Sequence, residues 1–172
     1  IDLNAITANY NRLKDISGVP VMGVVKANAY GHGLEETALH LQHIGAQWLG
    51  VARIEEALQL RESGIRTAIM VLGYTSPKRV RDAQQANIHL TIYDPLVAHM
   101  YEKEVDSDLG RLNLHAKIDT GMGRLGVPAR IAPAFIEDLS RVRMFNLEGV
   151  FTHFACADEP EKPVTLEQIS KF

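Results

Sequence analysis

Short apolar runs rich in β-branched residues alternate along this chain with longer stretches whose apolar positions recur at helical spacing. An opening helix is predicted over residues 3–16, where Ile6, Tyr10 and Leu13 share a face. Strands are predicted at 21–25, 48–52, 68–72, 90–92, 112–118 and 147–151. Helices are predicted between them at 34–44, 54–62, 77–86, 95–103 and about 131–139. Ser63-Gly64 closes one of these helices as a C-cap should, and the last residues, 169–172, read as the start of another.

Six strands alternating with helices every 20 to 30 residues imply a parallel sheet with right-handed crossovers. Periodicity alone leaves a doubly wound open sheet and a (β/α)8 TIM-type barrel both open. No low-complexity linker interrupts the pattern, so residues 1–172 are expected to be one domain. Of the 172 residues 46% are hydrophobic, enough for a sizeable core. With 18 basic and 21 acidic residues the chain lacks the basic footprint of a nucleic-acid binder. No stretch approaches the roughly 20 apolar residues of a membrane span, and no signal peptide is apparent. The single cysteine, Cys156, rules out an internal disulfide and suits a reducing, cytoplasmic setting. Opening on Ile1-Asp2-Leu3 and stopping at Ser170-Lys171-Phe172, the chain is expected to be part of a longer protein.

In both architectures ligands gather at the C-terminal ends of the strands. The first strand ends in Val25-Lys26-Ala27-Asn28-Ala29-Tyr30-Gly31-His32-Gly33. A lysine directly after a buried run is either partly desolvated, which favours amine chemistry, or snorkels to solvent. The fifth strand ends in Lys117-Ile118-Asp119-Thr120-Gly121-Met122-Gly123-Arg124-Leu125-Gly126. Lys117 alternates with apolar neighbours and, if buried, needs a partner. Arg124 is either a bidentate carboxylate grip or a surface residue on a tight turn. Gly121, Gly123 and Gly126 also spell the dinucleotide pattern, but Pro128 and Pro133 delay the next helix beyond the turn, which counts against it. The sixth strand ends in Thr152-His153-Phe154-Ala155, where His153 is suited to stack on a flat ring or to move a proton, or is a structural histidine. His153 and Cys156 lack further ligands at zinc spacing, so no metal is expected. His40 and His43 are expected on a solvated helix face.

These three motifs, in this order and over essentially the whole chain, resemble the alanine racemase family. The resemblance implies an N-terminal (β/α)8 barrel, of which this chain holds about six of eight strands, followed by a C-terminal β domain not included in it. It implies that pyridoxal 5'-phosphate is held by Lys26 as an internal aldimine, with Tyr30 donating to the phosphate. Arg124 would lie near the cofactor's phenolic oxygen and the substrate carboxylate, and His153 against the pyridine ring. Lys117 matches a position that is carbamylated in some relatives. The implied activity is interconversion of L- and D-alanine, supplying D-alanine for the peptidoglycan of the cell wall, by a cytoplasmic homodimer. In that family Lys26 serves one face of the substrate carbon, and a tyrosine from the partner's C-terminal domain serves the other. The second base, the arginine that meets the pyridine nitrogen, and strands seven and eight with their phosphate-binding loops all lie outside residues 1–172. Strands one and six are therefore expected to have open edges, and the 172-residue piece alone is expected not to racemise alanine. The alternatives are a non-catalytic pyridoxal-phosphate-binding barrel, a racemase for serine or a basic amino acid, and, disfavoured, a dinucleotide oxidoreductase.

Overall fold

A computed structural model describes residues 1–172 and gives an α/β fold whose strand pairings are parallel. The chain divides into two compact units, Ile1–Thr75 with Gln85–Leu90, and Ser76–Gln84 with Thr91–Phe172.

The first unit opens with α1 (Leu3–Ser17), started by the Asp2 carboxylate, which accepts from the N–H groups of Asn4 and Ala5 at 2.9 and 3.2 Å. Gly18, at φ 65°, ends it in the left-handed conformation that glycine adopts without penalty. Next come β1 (Met22–Val24), a single turn α2 (Lys26–Tyr30), α3 (Leu34–His43), β2 (Trp48–Val51), α4 (Ile54–Glu62) and β3 (Ala68–Val71). β1 pairs with β2 and β2 with β3, in registers that set Met22 beside Trp48 and Trp48 beside Ala68. Residues 88–90 of β4 (Ile88–Ile92) pair with β3. Leu49, Val51, Ile69, Val71 and Leu90 are wholly buried, the near-continuous apolar strand pattern of a parallel sheet covered on both faces. Burying each such side chain contributes about 1.5–3 kcal/mol. The Arg61 guanidinium ties this layer together by donating to the carbonyls of Ile65, Thr67, Ala86 and Asn87.

The second unit holds α5 (Val80–Gln85), α6 (Pro95–Glu104), β5 (Leu112–Asp119), β6 (Val127–Pro128), α7 (Ala132–Arg141), β7 (Phe145–Phe151) and α8 (Val164–Lys171). β5 pairs along its length with β7, and its last residues, Ile118 and Asp119, pair with β6. The β5–β7 register slips between Leu114 and His115, with Glu148 the extra residue of a bulge on β7 just before Gly149. A Cβ at Gly149 would stand 3.0 Å from the His115 ring, which would have to give by a few tenths of an ångström. Leu112, Leu114, Ala116, Phe135, Leu139 and Phe145 form the core of this unit.

Most expected elements are present, with four corrections. The helix expected at 77–86 opens as a 3-10 turn at Pro77–Arg79 and becomes α-helical only from Val80. The final helix begins at Val164, directly after Pro163, and not at 169. The short β6 makes the strands seven where six were expected. His40 is half-buried, its Nε2 2.7 Å from the Thr7 hydroxyl, so the face it shares with His43 is not wholly solvated. No helix is long and apolar enough to cross a membrane.

Candidate active site

In the first unit the site is built at the end of β1. Val25 is buried, and its N–H donates to the Gly50 carbonyl, extending the β1–β2 ladder right up to Lys26. Lys26 is half-buried, its Nζ 6.0 Å from the centre of the Tyr30 ring, at the outer limit of a cation–π contact. Tyr30 is 63% exposed, so its hydroxyl is open to a ligand.

The backbone between them has an unusual conformation. Ala27, Asn28, Ala29 and Tyr30 have φ of 52°, 56°, 49° and 54°, four consecutive non-glycine residues in the left-handed region. Such a conformation costs roughly 1–2 kcal/mol per residue and persists only where its surroundings impose it. Several hydrogen bonds impose it here. Ala29 N–H donates to the Val25 carbonyl at 2.8 Å, and Gly31 and Gly33 N–H donate to the Asn28 carbonyl. Asn28 Oδ1 accepts from Leu34 N–H at 2.8 Å, capping α3 from a distance. Ala27 N–H donates to Glu56 Oε1 at 2.7 Å. Neither the left-handed run nor the role of Glu56 is visible in the sequence pattern.

In the second unit the site is built where β5 and β7 end side by side. Lys117 lies on β5, 5% exposed, its Nζ 5.4 Å from the centre of the Phe151 ring on β7. Beyond it, the Asp119 carboxylate accepts from the N–H groups of Gly121 and Gly123 at 2.9 and 3.1 Å. Partial burial pushes this carboxyl up, but the N–H groups of Gly123, Gly121, Met122 and Arg124 outweigh that and hold it below the usual carboxylate range. Arg124 is exposed on this turn, and His153 is exposed just past β7. α7 begins at Ala132, so no helix N-terminus sits within the glycine turn, as the prolines predict.

One functional candidate went unnoticed in the sequence. Gln168 on α8 is 1% exposed. Its Nε2 donates to Thr120 Oγ1 at 3.1 Å and to the His153 carbonyl at 3.0 Å, and its Oε1 accepts from Ala155 N–H at 2.9 Å. The Thr120 and Thr152 hydroxyls are 2.8 Å apart. One amide thus joins the turn after β5 to the loop after β7. The only available signal was a glutamine one turn after Val164, on a helix whose start the sequence left misplaced.

The model of the alanine racemase N-terminal domain matches residues 1–172. This chain belongs to the alanine racemase family. Alanine racemase 1 of Caldanaerobacter subterraneus subsp. tengcongensis is 41% identical over 99% of this chain and 45% of its own. The structure of an alanine racemase from Clostridium difficile 630 matches with a TM-score of 0.93 at 35% identity, over 99% of this chain and 48% of that one. A histidine racemase from Leuconostoc mesenteroides subsp. sake matches with a TM-score of 0.91 at 31% identity, over 98% of this chain and 46% of that one. The chain thus spans about half the length of the curated relatives it matches. The fold is that of the alanine racemase N-terminal barrel domain, in agreement with the incomplete TIM barrel expected.

Taken unit by unit, Lys26 and Tyr30 in the first and Arg124 and His153 in the second are of residue types suited to pyridoxal phosphate. Lys26 offers an amine at a strand mouth, able to condense with an aldehyde. Tyr30 offers an accessible hydroxyl donor suited to a phosphate. Arg124 offers an exposed guanidinium suited to an anionic oxygen, and His153 an exposed flat ring. The named side chains are all hydrogen-bond donors, as an anionic aldehyde requires.

Proposed function

We propose that this chain is the cofactor-bearing part of an amino acid racemase that interconverts L- and D-alanine, with pyridoxal phosphate on Lys26. The observation that carries the reading is a half-buried lysine at the mouth of β1, immediately before a backbone turn held in a strained conformation. Costly conformations of this kind cluster where a function needs a fixed geometry. Pyridoxal phosphate, when bound, accepts electrons from an attached amino acid and so weakens its Cα–H bond. Lys26 Nζ removes or returns the proton at Cα on one face. Tyr30 would donate its hydroxyl to the phosphate, Arg124 would bind near the phenolic oxygen and the substrate carboxylate, and His153 would lie against the ring. Lys117, buried on β5, is the residue we assign to carbamylation, which would turn a buried cation into an anion able to pair with Arg124.

We further assign residues 1–172 to an N-terminal domain followed by a β domain that supplies the second base, in a cytoplasmic homodimer that provides D-alanine for peptidoglycan. The alanine racemases among the matches support alanine as substrate. The histidine racemase of the same fold supports a second reading, in which the side-chain pocket accepts serine or a basic amino acid and lies largely outside these residues. The test uses the complete protein. Borohydride reduction after addition of pyridoxal phosphate, followed by peptide mapping, should place the label on Lys26. Lys26→Ala should lose the label and lower D-alanine formation on the order of 10³-fold or more. A complete wild-type protein that takes up no pyridoxal phosphate overturns the proposal. Faster turnover of serine or histidine than of alanine moves it to the second reading.

A further inference from the structure

Lys26 is followed by a turn that local hydrogen bonds close but that its residue types do not favour. Left-handed φ at Ala27, Asn28, Ala29 and Tyr30 makes the segment prone to spring back to ordinary conformations. A flexible anchor would leave the lysine amine to wander, whereas bond-making chemistry needs its groups held within a fraction of an ångström. The local hydrogen bonds leave the Ala27 N–H, at the start of the run, to a partner from outside the turn.

Glu56 is placed to do so. It lies in the first turn of α4 and is 8% exposed, so its carboxylate depends on the partners it finds inside the protein. Oε2 accepts from Ala52 N–H at 2.8 Å and Arg53 N–H at 3.1 Å. That half of the carboxylate does what a capping-box glutamate does for its own helix. Oε1 does something a cap does not require. It reaches back 29 positions in sequence and accepts from Ala27 N–H at 2.7 Å. Ala27 is both the residue directly after Lys26 and the first of the left-handed run. We infer that Glu56 is a positioning residue for Lys26, its Oε1 gripping the Ala27 N–H to hold the left-handed turn that aims the lysine. The inference rests on the reading that Lys26 carries the cofactor.

Glu56→Gln separates the two jobs. A glutamine keeps one acceptor oxygen, which serves best against the paired N–H groups of Ala52 and Arg53. Its amide NH2 then faces the Ala27 N–H, donor against donor. Ala27→Gly is the rescuing change, because glycine takes positive φ at little cost and needs less holding. The complete protein is measured as wild type, Glu56→Gln, Ala27→Gly and the double variant. Hydrogen exchange of the segment 25–31 should rise about tenfold in Glu56→Gln, while that of 54–62 changes by less than about threefold. The pyridoxal phosphate concentration needed to half-label Lys26, trapped with borohydride, should rise about tenfold. In the double variant both values should return at least half-way on a logarithmic scale.

A residue that only caps α4 predicts loss at 54–62, no selective loss at 25–31 and no rescue by Ala27→Gly. That pattern, or labelling of Lys26 that Glu56→Gln leaves unchanged, overturns the inference. Absence of label from the wild type overturns instead the reading of function beneath it, a distinct result because it is read on the unaltered protein.

Discussion

Two strands end in turns that bear candidate chemistry, and the two turns reach positive φ by opposite means. After β5, the chain uses glycine at each such position, with φ of 143°, 70° and 144° at Gly121, Gly123 and Gly126. After β1, it uses alanine, asparagine, alanine and tyrosine. Each turn is also held by a carboxylate that accepts backbone N–H groups. Asp119 belongs to its own turn and sits near solvent, whereas Glu56 is buried and reaches in from a helix 29 residues away. The glycine turn is therefore held mainly from within. The alanine-rich turn stores strain and depends on its neighbours, an arrangement suited to a residue whose direction must not vary.

The largest expected effect tests how tightly the glycine turn is built. A Cβ at Gly126 would stand 2.5 Å from the Asp119 nitrogen and 2.8 Å from the Ile118 carbonyl carbon, both of them backbone atoms that cannot swing aside. At Gly123 a Cβ would meet nothing within 4 Å. Gly126→Ala should therefore cost about 3–5 kcal/mol, from clash and strained φ together. Gly123→Ala should cost about 1 kcal/mol, from φ alone. Thermal unfolding should show a drop of roughly 10 °C or more for the first and a few degrees for the second. Equal losses would mean that φ, not close approach, governs this turn.

Gln168 sharpens the comparison, because it is the one outside support that the glycine turn receives. Gln168→Leu keeps the volume but removes one partner each from the Thr120 hydroxyl, the His153 carbonyl and the Ala155 N–H. Losing one buried and two part-buried hydrogen bonds costs about 1–3 kcal/mol, or roughly 3–10 °C in melting temperature. Gln168→Glu, which buries a charge and sets an acceptor against the His153 carbonyl, should lose at least as much at neutral pH as the leucine variant. A leucine variant as stable as wild type would show that water takes over these groups, and that α8 does not tie the two loops together.

What was legible in the sequence follows the same division. Alternating apolar runs and helical spacing gave the strand and helix order, because burial on both faces of a parallel sheet leaves little choice of residue. The glycines marked the turn after β5, since only glycine takes those φ values cheaply. Lys26, Tyr30, Lys117, Arg124 and His153 stood out as reactive side chains next to strand ends. The left-handed run at 27–30 left no such mark, because nothing in Ala-Asn-Ala-Tyr favours positive φ except, weakly, the asparagine. One of its supports is Glu56, a long-range partner that reads locally as an ordinary capping residue. Gln168 was hidden for the same reason, since buried amides are recognised by their partners and not by their spacing. The early start of α8 and the short β6 were missed because two-residue strands and helices that follow a proline leave almost no periodic signal.

The smallest expected effect is a dependence on pH that should appear in one turn's carboxylate. Amide donors from Gly121 to Arg124 favour ionised Asp119 and, despite the opposing effect of partial burial, leave its folded pKa below the unfolded value of about 3.9. Its stabilising contribution is therefore present above the unfolded value and is lost as pH falls through the folded one. Asp119→Asn keeps an acceptor oxygen but removes the charge, so the variant should lack this dependence. Urea midpoints of wild type and Asp119→Asn should differ modestly at neutral pH and converge below about pH 4. Because the group is largely open to solvent, added salt should narrow the neutral-pH difference as well. A difference that persists unchanged at low pH would mean that the turn depends on the shape of the Asp119 side chain and not on its charge. The glycine turn would then be held by neutral hydrogen bonds and glycine's conformational freedom, with no contribution from charge.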